Sequence, residues 1–492
     1  MARQMRRRLA HGILLGTIAM EGCALVLGIE DVPVPAVPGP SEASVADARD
    51  ASVVDARDAA DGDTGDGDTG DVDTGDVDTG DVDTGVVTVA QVTAGFSHTC
   101  ARFSNGTVKC WGRNADGQLG LGNMMPMLLA PPMTPVDLGP GLSAREIAAG
   151  GNHTCALLDN RTIKCWGRNA EGQLGLGVPG NRGDEAFEMG ANLPAVNLGT
   201  GRTALQIIAG DNHTCARLDN STVKCWGFNL YGQLGVGTNV NTNVPGAEVN
   251  LGTSRTALQI TAGDNHTCAR LDNSTVKCWG FNSYGQLGLG DMERRGDQDG
   301  GMGANLLTVD LGTNRTAREL VAGGNHTCAR LDDFTVKCWG FAFTGQLGLG
   351  DTRNRGGQAL EMGTNLPVVD LGTSRTAREL VAGNNHTCAR LDNFTIKCWG
   401  HNLYGQLGLG DTMNRGGQDG GMGANLPTVD LGTSRTVLEI TAGGDHTCAL
   451  LDDFTVKCWG YNDQGQLGLS HTLNRGGQPG QMGNSLPAIL FP

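Results

Sequence analysis

The chain has 492 residues, among them 78 Gly and 15 Cys, with 36 basic and 52 acidic side chains. Gly is about twice as frequent as in average proteins, yet no G-X-Y period is present, which excludes collagen, and an aromatic content of 4% argues against a helical bundle. An odd and large number of cysteines indicates an exported, disulfide-bonded protein with one thiol left over.

The segment 1–22 has the pattern of a signal peptide. Four Arg at positions 3–8 precede the apolar stretch 13–20, which is too short to span a bilayer. Gly22 and Cys23 follow, and this terminus resembles a bacterial lipoprotein signal, which implies that Cys23 carries the lipid. We therefore predict a signal peptide over 1–22 and an outer-membrane or cell-surface lipoprotein. The alternative is a secreted protein that is cleaved elsewhere.

Residues 23–85 are predicted to be a disordered linker rich in Pro and Asp. Residues 31–85 hold fifteen Asp, one Glu and two Arg, a net charge of −14, and 61–85 is five repeats of D-x-D-T-G. Such a segment repels itself and cannot bury a core, although D-x-D spacing leaves weak binding of divalent ions open. The remaining residues 86–492 carry only −4. They lack the basic patch of a nucleic-acid binder, so we expect no nucleic-acid partner.

From residue 86 onward one unit is repeated seven times. The string H-T-C-A-x-x-x-x-x-T-[VI]-K-C-W-G contains all seven Trp and fourteen of the fifteen Cys, and G-Q-L-G follows each copy. The near-constant spacing between copies has the long period that is typical of solenoids and propellers. The repeats begin at His98, His153, His213, His266, His326, His386 and His446.

Four short strands are predicted in each unit. They are A-x-x-[IL]-x-A-G, H-T-C-A-[RL]-[LF], T-[VI]-K-C-W-G and [LP]-x-V-[DN]-L-G, all bounded by Gly-rich turns. Seven units of four strands predict an all-β, seven-bladed β-propeller over 86–492. WD repeats have a shorter period and a Trp-Asp pair, whereas Gly follows Trp here.

Three motifs carry a specific resemblance to a known family. The segments Gly383–Ala389, Lys397–Asn402 and Tyr404–Gly410 are similar to the regulator-of-chromosome-condensation repeat, and the likeness covers essentially all of 86–492. The resemblance implies a seven-bladed propeller. The eukaryotic namesake promotes nucleotide exchange on a nuclear GTPase, a role that an export signal makes unsuitable here.

The two Cys of each unit lie ten positions apart across a predicted hairpin. With a three-residue loop centred on Asn105, Cys100 faces Cys110 directly, at a distance that suits a disulfide. Buried reduced thiols, or zinc held by His98 together with these two Cys, are the alternatives. The predicted pairs are Cys100–Cys110, Cys155–Cys165, Cys215–Cys225, Cys268–Cys278, Cys328–Cys338, Cys388–Cys398 and Cys448–Cys458.

Five units carry an insert of constant spacing, which predicts an ordered loop. An Arg stands seven positions before a Met in each insert, and the five Arg could form an anion-binding rim on one face. Alternatively, each Arg bonds carbonyls of its own loop while the Met packs beneath. The five are Arg182, Arg295, Arg355, Arg415 and Arg475.

Nothing in the sequence matches a catalytic motif, so we expect no enzyme and no cofactor. The repeated His is expected to bond a backbone group within its own blade, and the unrepeated His401, Glu361 and His471 are isolated. We predict a monomeric, envelope-tethered scaffold that binds an unknown protein or glycan. The alternative is an inhibitor of an extracellular or periplasmic enzyme, since a secreted relative in fold inhibits a β-lactamase.

Overall fold

A computed structural model describes residues 86–128, 131 and 134–491, so the predicted signal peptide, Cys23 and the linker lie outside the described residues. Within this part the chain forms seven antiparallel sheets of three strands each, one sheet per repeat, which we call blades 1 to 7. The strands in chain order are β1 (Val89–Ala94), β2 (His98–Phe103), β3 (Val108–Gly112), β4 (Ala144–Ala149), β5 (His153–Leu158), β6 (Ile163–Gly167), β7 (Ala204–Ala209), β8 (His213–Leu218), β9 (Val223–Gly227), β10 (Ala257–Ala262), β11 (His266–Leu271), β12 (Val276–Gly280), β13 (Ala317–Ala322), β14 (His326–Leu331), β15 (Val336–Gly340), β16 (Ala377–Ala382), β17 (His386–Leu391), β18 (Ile396–Gly400), β19 (Val437–Ala442), β20 (His446–Leu451) and β21 (Val456–Gly460).

The blades form a closed ring around a central channel. The first strand of each blade is innermost and packs against the first strand of the next blade, and β19 of blade 7 packs against β1 of blade 1. The Ala-Gly pair that ends each first strand lines the channel in all seven blades. The apolar core lies between blades: Cys100 and Cys110 of blade 1, for example, pack in one cluster with Trp166 of blade 2.

The predicted fourth strand is absent from the described sheets, which corrects the expectation of four-stranded blades. The segment expected to form it joins β3 through the hydrogen bond from the Val136 N–H to the Val108 carbonyl, at 2.7 Å, and this bond recurs in every blade. The following carbonyls are used elsewhere. That of Asp137 accepts from the Gly190 N–H at 3.0 Å, and that of Leu138 accepts from the Lys164 ammonium at 2.9 Å. The segment therefore bonds both β3 and the next unit, and it forms no strand of the sheet among the described residues.

The hairpins have the predicted register, and all seven cysteine pairs are disulfides. Cys100 lies directly opposite Cys110 with Cα atoms 4.0 Å apart, and the other six pairs have the same arrangement at 4.1 Å. The third loop residue is left-handed in every blade. Gly106 adopts this backbone freely, whereas Arg161 (φ 62°) and Phe334 (φ 63°) adopt it at a cost.

The repeated His is structural, but its partner lies in the next blade rather than in its own, contrary to the expectation. His98 Nε2 lies 2.9 Å from Thr154 Oγ1, and that hydroxyl donates to the Gln118 carbonyl at 2.9 Å. Trp166 Nε1 donates to the same carbonyl at 3.1 Å. We call this arrangement the interblade latch. It recurs at all seven junctions, including the one from His446 of blade 7 to blade 1.

The latch determines which nitrogen of the His carries the proton. Because the Thr154 hydroxyl donates to a carbonyl, it accepts from Nε2–H of His98, so Nδ1 is unprotonated. All seven Nδ1 atoms are buried without a hydrogen-bond partner among the described residues. Burial lowers the pKa of His98 to about 3, and the other six His shift in the same direction for the same reason.

The five inserts are ordered, as their constant spacing predicts, and each ends in a short 3-10 helix. Their Met side chains pack into the core between blades, as Met302 does beside Trp279. In the described part of the chain, no helix is long and apolar enough to cross a membrane. The 3-10 helices are Gly190–Asn192, Gly303–Asn305, Gly363–Asn365, Gly423–Asn425 and Gly483–Ser485.

Candidate binding face

One face of the ring carries the loops that differ most between blades. We call it the upper face. It holds the inserts and the loops that follow the first and the third strand of each blade. The opposite, lower face holds the hairpins that join the second strand of each blade to the third. The residue after K-C-W-G joins two of these loops, because the Phe228 N–H donates to the Asn212 carbonyl at 2.8 Å. Rigid strands thus position variable loops, as in many binding proteins.

An arc of aromatic side chains follows the upper face over blades 3 to 7. Neighbouring rings lie 4.5 to 6.4 Å apart between centroids, mostly tilted or edge-to-face, within each of two runs. We call this arc the aromatic crescent. Its first run is Phe228, Tyr231, Phe281, Tyr284, Phe341 and Phe343, and its second is His401, Tyr404 and Tyr461.

The aromatic crescent has an accessible apolar edge and polar ends. Phe343 is 73% exposed, and Leu230 and Leu403 at the same loop position of blades 3 and 6 are also exposed. Blades 1 and 2 place charged residues where the crescent has rings, such as Arg113 with Asp116, 3.7 Å apart. A partly exposed band of rings offers flat apolar area together with Tyr hydroxyls, which suits a protein surface or a sugar.

Inside the crescent, the mouth of the channel carries two neighbouring carboxylates. Asp211 and Asp264 line the mouth on blades 3 and 4, where Gly151 and Gly324 occupy the same position on the flanking blades. Burial and the neighbouring Asp211 raise the pKa of Asp264 to about 7. The channel mouth therefore has two acidic side chains on one side and Gly on the flanking blades. No group of three or more potential metal ligands occurs among residues 86–128 and 134–491.

Four of the five insert Arg border the crescent, because the backbone of each pairs with the Gly that precedes a crescent ring, whereas Arg182 pairs with Gly167 of blade 2, outside the crescent. Their guanidinium groups are engaged within their own loops: Arg295 lies 2.6 Å from Asp291 and donates to the Glu293 carbonyl at 2.7 Å. In the other four inserts the guanidinium likewise has a side-chain partner within its own loop. The ion-pair or hydrogen-bond partners are Glu188 for Arg182, Asp351 for Arg355, Asp411 for Arg415 and His471 for Arg475.

A ring of Gln and Glu side chains joins the first strand of each blade to that of the next. In blade 4, Gln259 accepts from the Leu320 N–H and donates to the Leu320 carbonyl, at 2.9 and 3.2 Å. In blade 7, Glu439 occupies this position and accepts from the Val92 N–H of blade 1 at 3.4 Å. An ionised carboxylate cannot donate to the carbonyl, whereas a protonated one can. The ring comprises Gln91, Glu146, Gln206, Gln259, Glu319, Glu379 and Glu439.

We expect Glu439→Gln to stabilise the ring closure above neutral pH. Burial and the neighbouring Glu379 raise the pKa of Glu439 to about 8, against the attraction of Arg102 and Arg390. Since the folded pKa exceeds the unfolded one, this group's contribution is full below about pH 4.5 and is lost as pH rises through 8. Denaturant unfolding should therefore give the variant about 1–3 kcal/mol more stability at pH 8.5, with a smaller gain at pH 5. The reverse change Gln259→Glu is the control and should weaken blade 4 at alkaline pH; equal gains at both pH values would contradict the prediction.

The three unrepeated residues that could suggest catalysis lie in separate structural roles. His401 belongs to the crescent and lies 3.3 Å from Asp445. Glu361 accepts from two N–H groups of its own loop, and His471 contacts Arg475. The structure does not bring these residues together.

The aromatic crescent is the feature that reasoning from the sequence missed. Its residues stand at variable positions next to the repeated motif, and neighbours in space come from different repeats. A comparison of the position after K-C-W-G across units would have found the signal. That position is Arg113, Arg168, Phe228, Phe281, Phe341, His401 and Tyr461.

Comparison with known families agrees with the geometry. The family model described as "RCC1-like domain" matches residues 58–361, more than half of the chain, and models of the regulator of chromosome condensation (RCC1) repeat match 378–406, 437–466 and 398–450. The chain belongs to the RCC1-like domain family. Among solved RCC1-like structures, yeast RCC1 (Prp20) bound to Kap60 covers 82% of this chain and 85% of its own, with 19% identity and a TM-score of 0.59. Human WBSCR16 covers 74% and 87%, with 20% identity and a TM-score of 0.58.

Curated relatives of this RCC1-like chain include regulators and larger enzymes. The ultraviolet-B receptor UVR8 of Arabidopsis thaliana is 27% identical over 78% of this chain and 79% of its own length. Human HERC4, a probable E3 ubiquitin-protein ligase, is 30% identical over 72% of this chain, and mouse Nek9, a serine/threonine-protein kinase, is 26% identical over 68%. The chain spans only 38% and 32% of the length of these last two.

Proposed function

We propose that the protein is a non-catalytic scaffold whose upper face binds an extracellular protein or glycan. The observation that carries the proposal is the aromatic crescent, in which Phe343 is exposed, together with the exposed Leu230 and Leu403 at the same loop position of blades 3 and 6. Exposed apolar area of this kind marks an interaction site. Yeast RCC1, similar in fold, has been crystallised bound to Kap60, and a further structure concerns its binding to Gsp1p and histones.

The proposed location is the cell envelope. Seven disulfides suit an oxidising compartment outside the cytosol. In this proposal residues 1–22 are removed as a signal peptide, Cys23 carries a lipid anchor, and 23–85 form an acidic spacer. Cys23→Ser should move the full chain from the membrane fraction to the soluble fraction, and an unchanged distribution would contradict lipidation.

The binding role is tested with the crescent residues Tyr231 and Tyr284. We expect Tyr231→Ala combined with Tyr284→Ala to reduce retention of envelope components by the immobilised full chain about tenfold, because the first run loses two packed rings. Phe394→Ala on the lower face is the matched control, since this ring is also exposed. The proposal fails if the crescent variant and the control retain the same components equally.

Inhibition of an extracellular enzyme is the second candidate function. Two inserts present exposed apolar side chains, Phe187 and Leu360, on ordered loops, a shape that can occupy a cleft. We also propose that the five insert Arg form an anion-binding rim. An anion would then compete with the side chains that each guanidinium group contacts within its own loop. A stoichiometric loss of activity of a secreted hydrolase would favour inhibition over simple binding.

A further inference from the structure

Two inserts carry a large apolar residue at a turn where the other three carry Gly. Phe187 in blade 2 and Leu360 in blade 5 have φ values of 68° and 69°. The same turn position is Gly in blades 4, 6 and 7, with φ between 69° and 76°. Gly adopts this left-handed backbone freely, whereas a side chain with a Cβ adopts it at a cost in free energy. Folding therefore gives no reason for Phe or Leu at these positions. The corresponding glycines are Gly300, Gly420 and Gly480.

Both side chains extend into solvent. Phe187 is 88% exposed and Leu360 is 83% exposed, the two highest values among the large apolar side chains that the structure describes. Neither one fills the core of a blade. A strained backbone that presents an almost fully exposed apolar group points to a contact with another molecule.

In both loops, the residue directly after the exposed apolar side chain is a Glu that accepts hydrogen bonds from backbone N–H groups of the same loop. In blade 2, Glu188 accepts from the N–H groups of Gly183 and Glu185 at 3.0 and 3.1 Å. In blade 5, Glu361 accepts from those of Gly357 and Gln358, both at 3.0 Å. Blades 4 and 6 have Gly301 and Gly421 at this position and lack such a group. Blade 7 has the uncharged Gln481, whose amide oxygen accepts from the Gln478 N–H at 3.0 Å. The two loops with an apolar residue at the turn (the tip) are thus the loops that carry this carboxylate. Because its hydrogen bonds order the loop beforehand, less conformational entropy is lost when a partner binds.

The surroundings of the tips differ in charge. Beside Phe187 the loop carries Asp184 and the exposed Glu185, while the only basic residue of the same insert, Arg182, is 3.6 Å from Glu188. In the insert segment of blade 5 that precedes Leu360, the exposed charged residue is Arg353. A partner that fits the Phe187 tip therefore presents basic groups around an apolar cleft.

We propose that Phe187 and Leu360 are anchor residues that enter two apolar clefts of a folded protein partner, with basic side chains bordering the cleft for Phe187. This inference rests on the proposed function and narrows its ligand to a protein. The aliphatic Leu360 offers no flat ring for a sugar and no hydrogen bond to its hydroxyls, and the carboxylates near Phe187 repel an anionic lipid surface. Because the tips lie in the inserts of blades 2 and 5, one partner that contacts both reaches across several blades.

The first experiment identifies what touches the tips. The full chain carries p-benzoyl-phenylalanine at position 187 or at position 360 and is irradiated on intact source cells. Both positions are expected to cross-link to one and the same polypeptide, which mass spectrometry identifies. Cross-links to polysaccharide or lipid alone, or no cross-link at either position, would overturn the inference.

The second experiment uses that purified polypeptide as the probe in calorimetry. Phe187→Gly and Leu360→Gly should each weaken binding at least tenfold, while the melting temperature stays equal to or above that of the original chain because Gly suits the backbone. Met413→Ala is the matched control. Met413 is exposed and lies in the insert region of blade 6, but it is not left-handed, so its removal should leave affinity unchanged.

The outcomes separate this inference from the proposed function. Glycine variants that keep full affinity while the crescent variant loses binding would overturn the inference and leave the scaffold proposal standing. Full affinity in the crescent variant and in both glycine variants would overturn both. Vesicles of anionic phospholipid and purified envelope polysaccharide serve as alternative probes, and tip-dependent binding to either in place of protein also overturns the inference.

Discussion

Reduction of the seven disulfides is expected to unfold the propeller at room temperature. Each bond closes a loop between residues ten positions apart, and the chain-entropy relation gives about 2–3 kcal/mol for such a loop. Seven such contributions total about 14–21 kcal/mol, which matches or exceeds the ~5–15 kcal/mol by which a folded domain is stable. The measurement is near-ultraviolet circular dichroism with and without reductant, together with an intact-mass increase of about fourteen hydrogens.

A single blade provides the control for this prediction. Cys268→Ala combined with Cys278→Ala removes one disulfide and leaves two small apolar side chains in a buried site. We expect this variant to remain folded with a loss of about 2–3 kcal/mol. A fully reduced chain that keeps its native near-ultraviolet spectrum would show that packing and latches alone hold the ring.

Acid is expected to destabilise the propeller gently down to about pH 4.5 and steeply below it. The seven latch His have folded pKa values of about 3 to 4, so their contribution is full above 6.5 and is lost as pH falls, at up to about 1.4 kcal/mol per unit for each His. Five buried carboxylates act in the opposite direction, because burial raises the pKa of each; the contribution is lost as pH rises through about 7 for Glu146, Asp264 and Glu379 and through about 8 for Glu439. They are Glu146, Asp264, Glu319, Glu379 and Glu439.

The test is the free energy of unfolding from denaturant titrations at pH values from 3.5 to 8. Between about pH 4.5 and 6.5 the two sets of groups largely offset one another, whereas below pH 4.5 the raised carboxylates are mostly protonated in both states and the His slope dominates. Replacing one latch residue, His266→Gln, should reduce the slope below pH 4.5 by about 1.4 kcal/mol per unit. A uniform slope across the whole range would contradict this account.

The elements that depend on local spacing could be predicted from the sequence. The spacing of Cys100 and Cys110, with Ser-Asn-Gly at the centre, determines a hairpin register and hence a disulfide. The short strands follow from alternating apolar residues between Gly-rich turns. The predicted fourth strand was not confirmed. The carbonyls of Asp137 and Leu138 in that segment bond Gly190 and Lys164, and these partners come from the next unit, which local spacing does not report.

Features that form between blades could not be predicted in the same way. The partner of His98 is Thr154, 56 positions away, and nothing near His98 in sequence identifies it. The crescent has the same origin: the ring centroid of Tyr231 lies 4.8 Å from that of Phe281, although the two residues belong to different repeats. Neither local periodicity nor turn chemistry reports contacts of this kind, since they depend on how one blade is rotated against the next.

The interblade latch also bears on what counts as the folding unit. A single blade contains the His of one latch and the Thr and Trp of another, so two half-latches remain unsatisfied when it stands alone. The junction from His446 to Thr99 uses the same atoms as the other six, which leaves the ring without a distinct seam. Loss of any one blade would leave a latch His without its Thr partner on one neighbouring blade, and a latch Thr without its His partner on the other. The smallest unit in which every latch is complete is therefore the whole seven-bladed ring. A partner that binds across several blades binds a single cooperative folding unit.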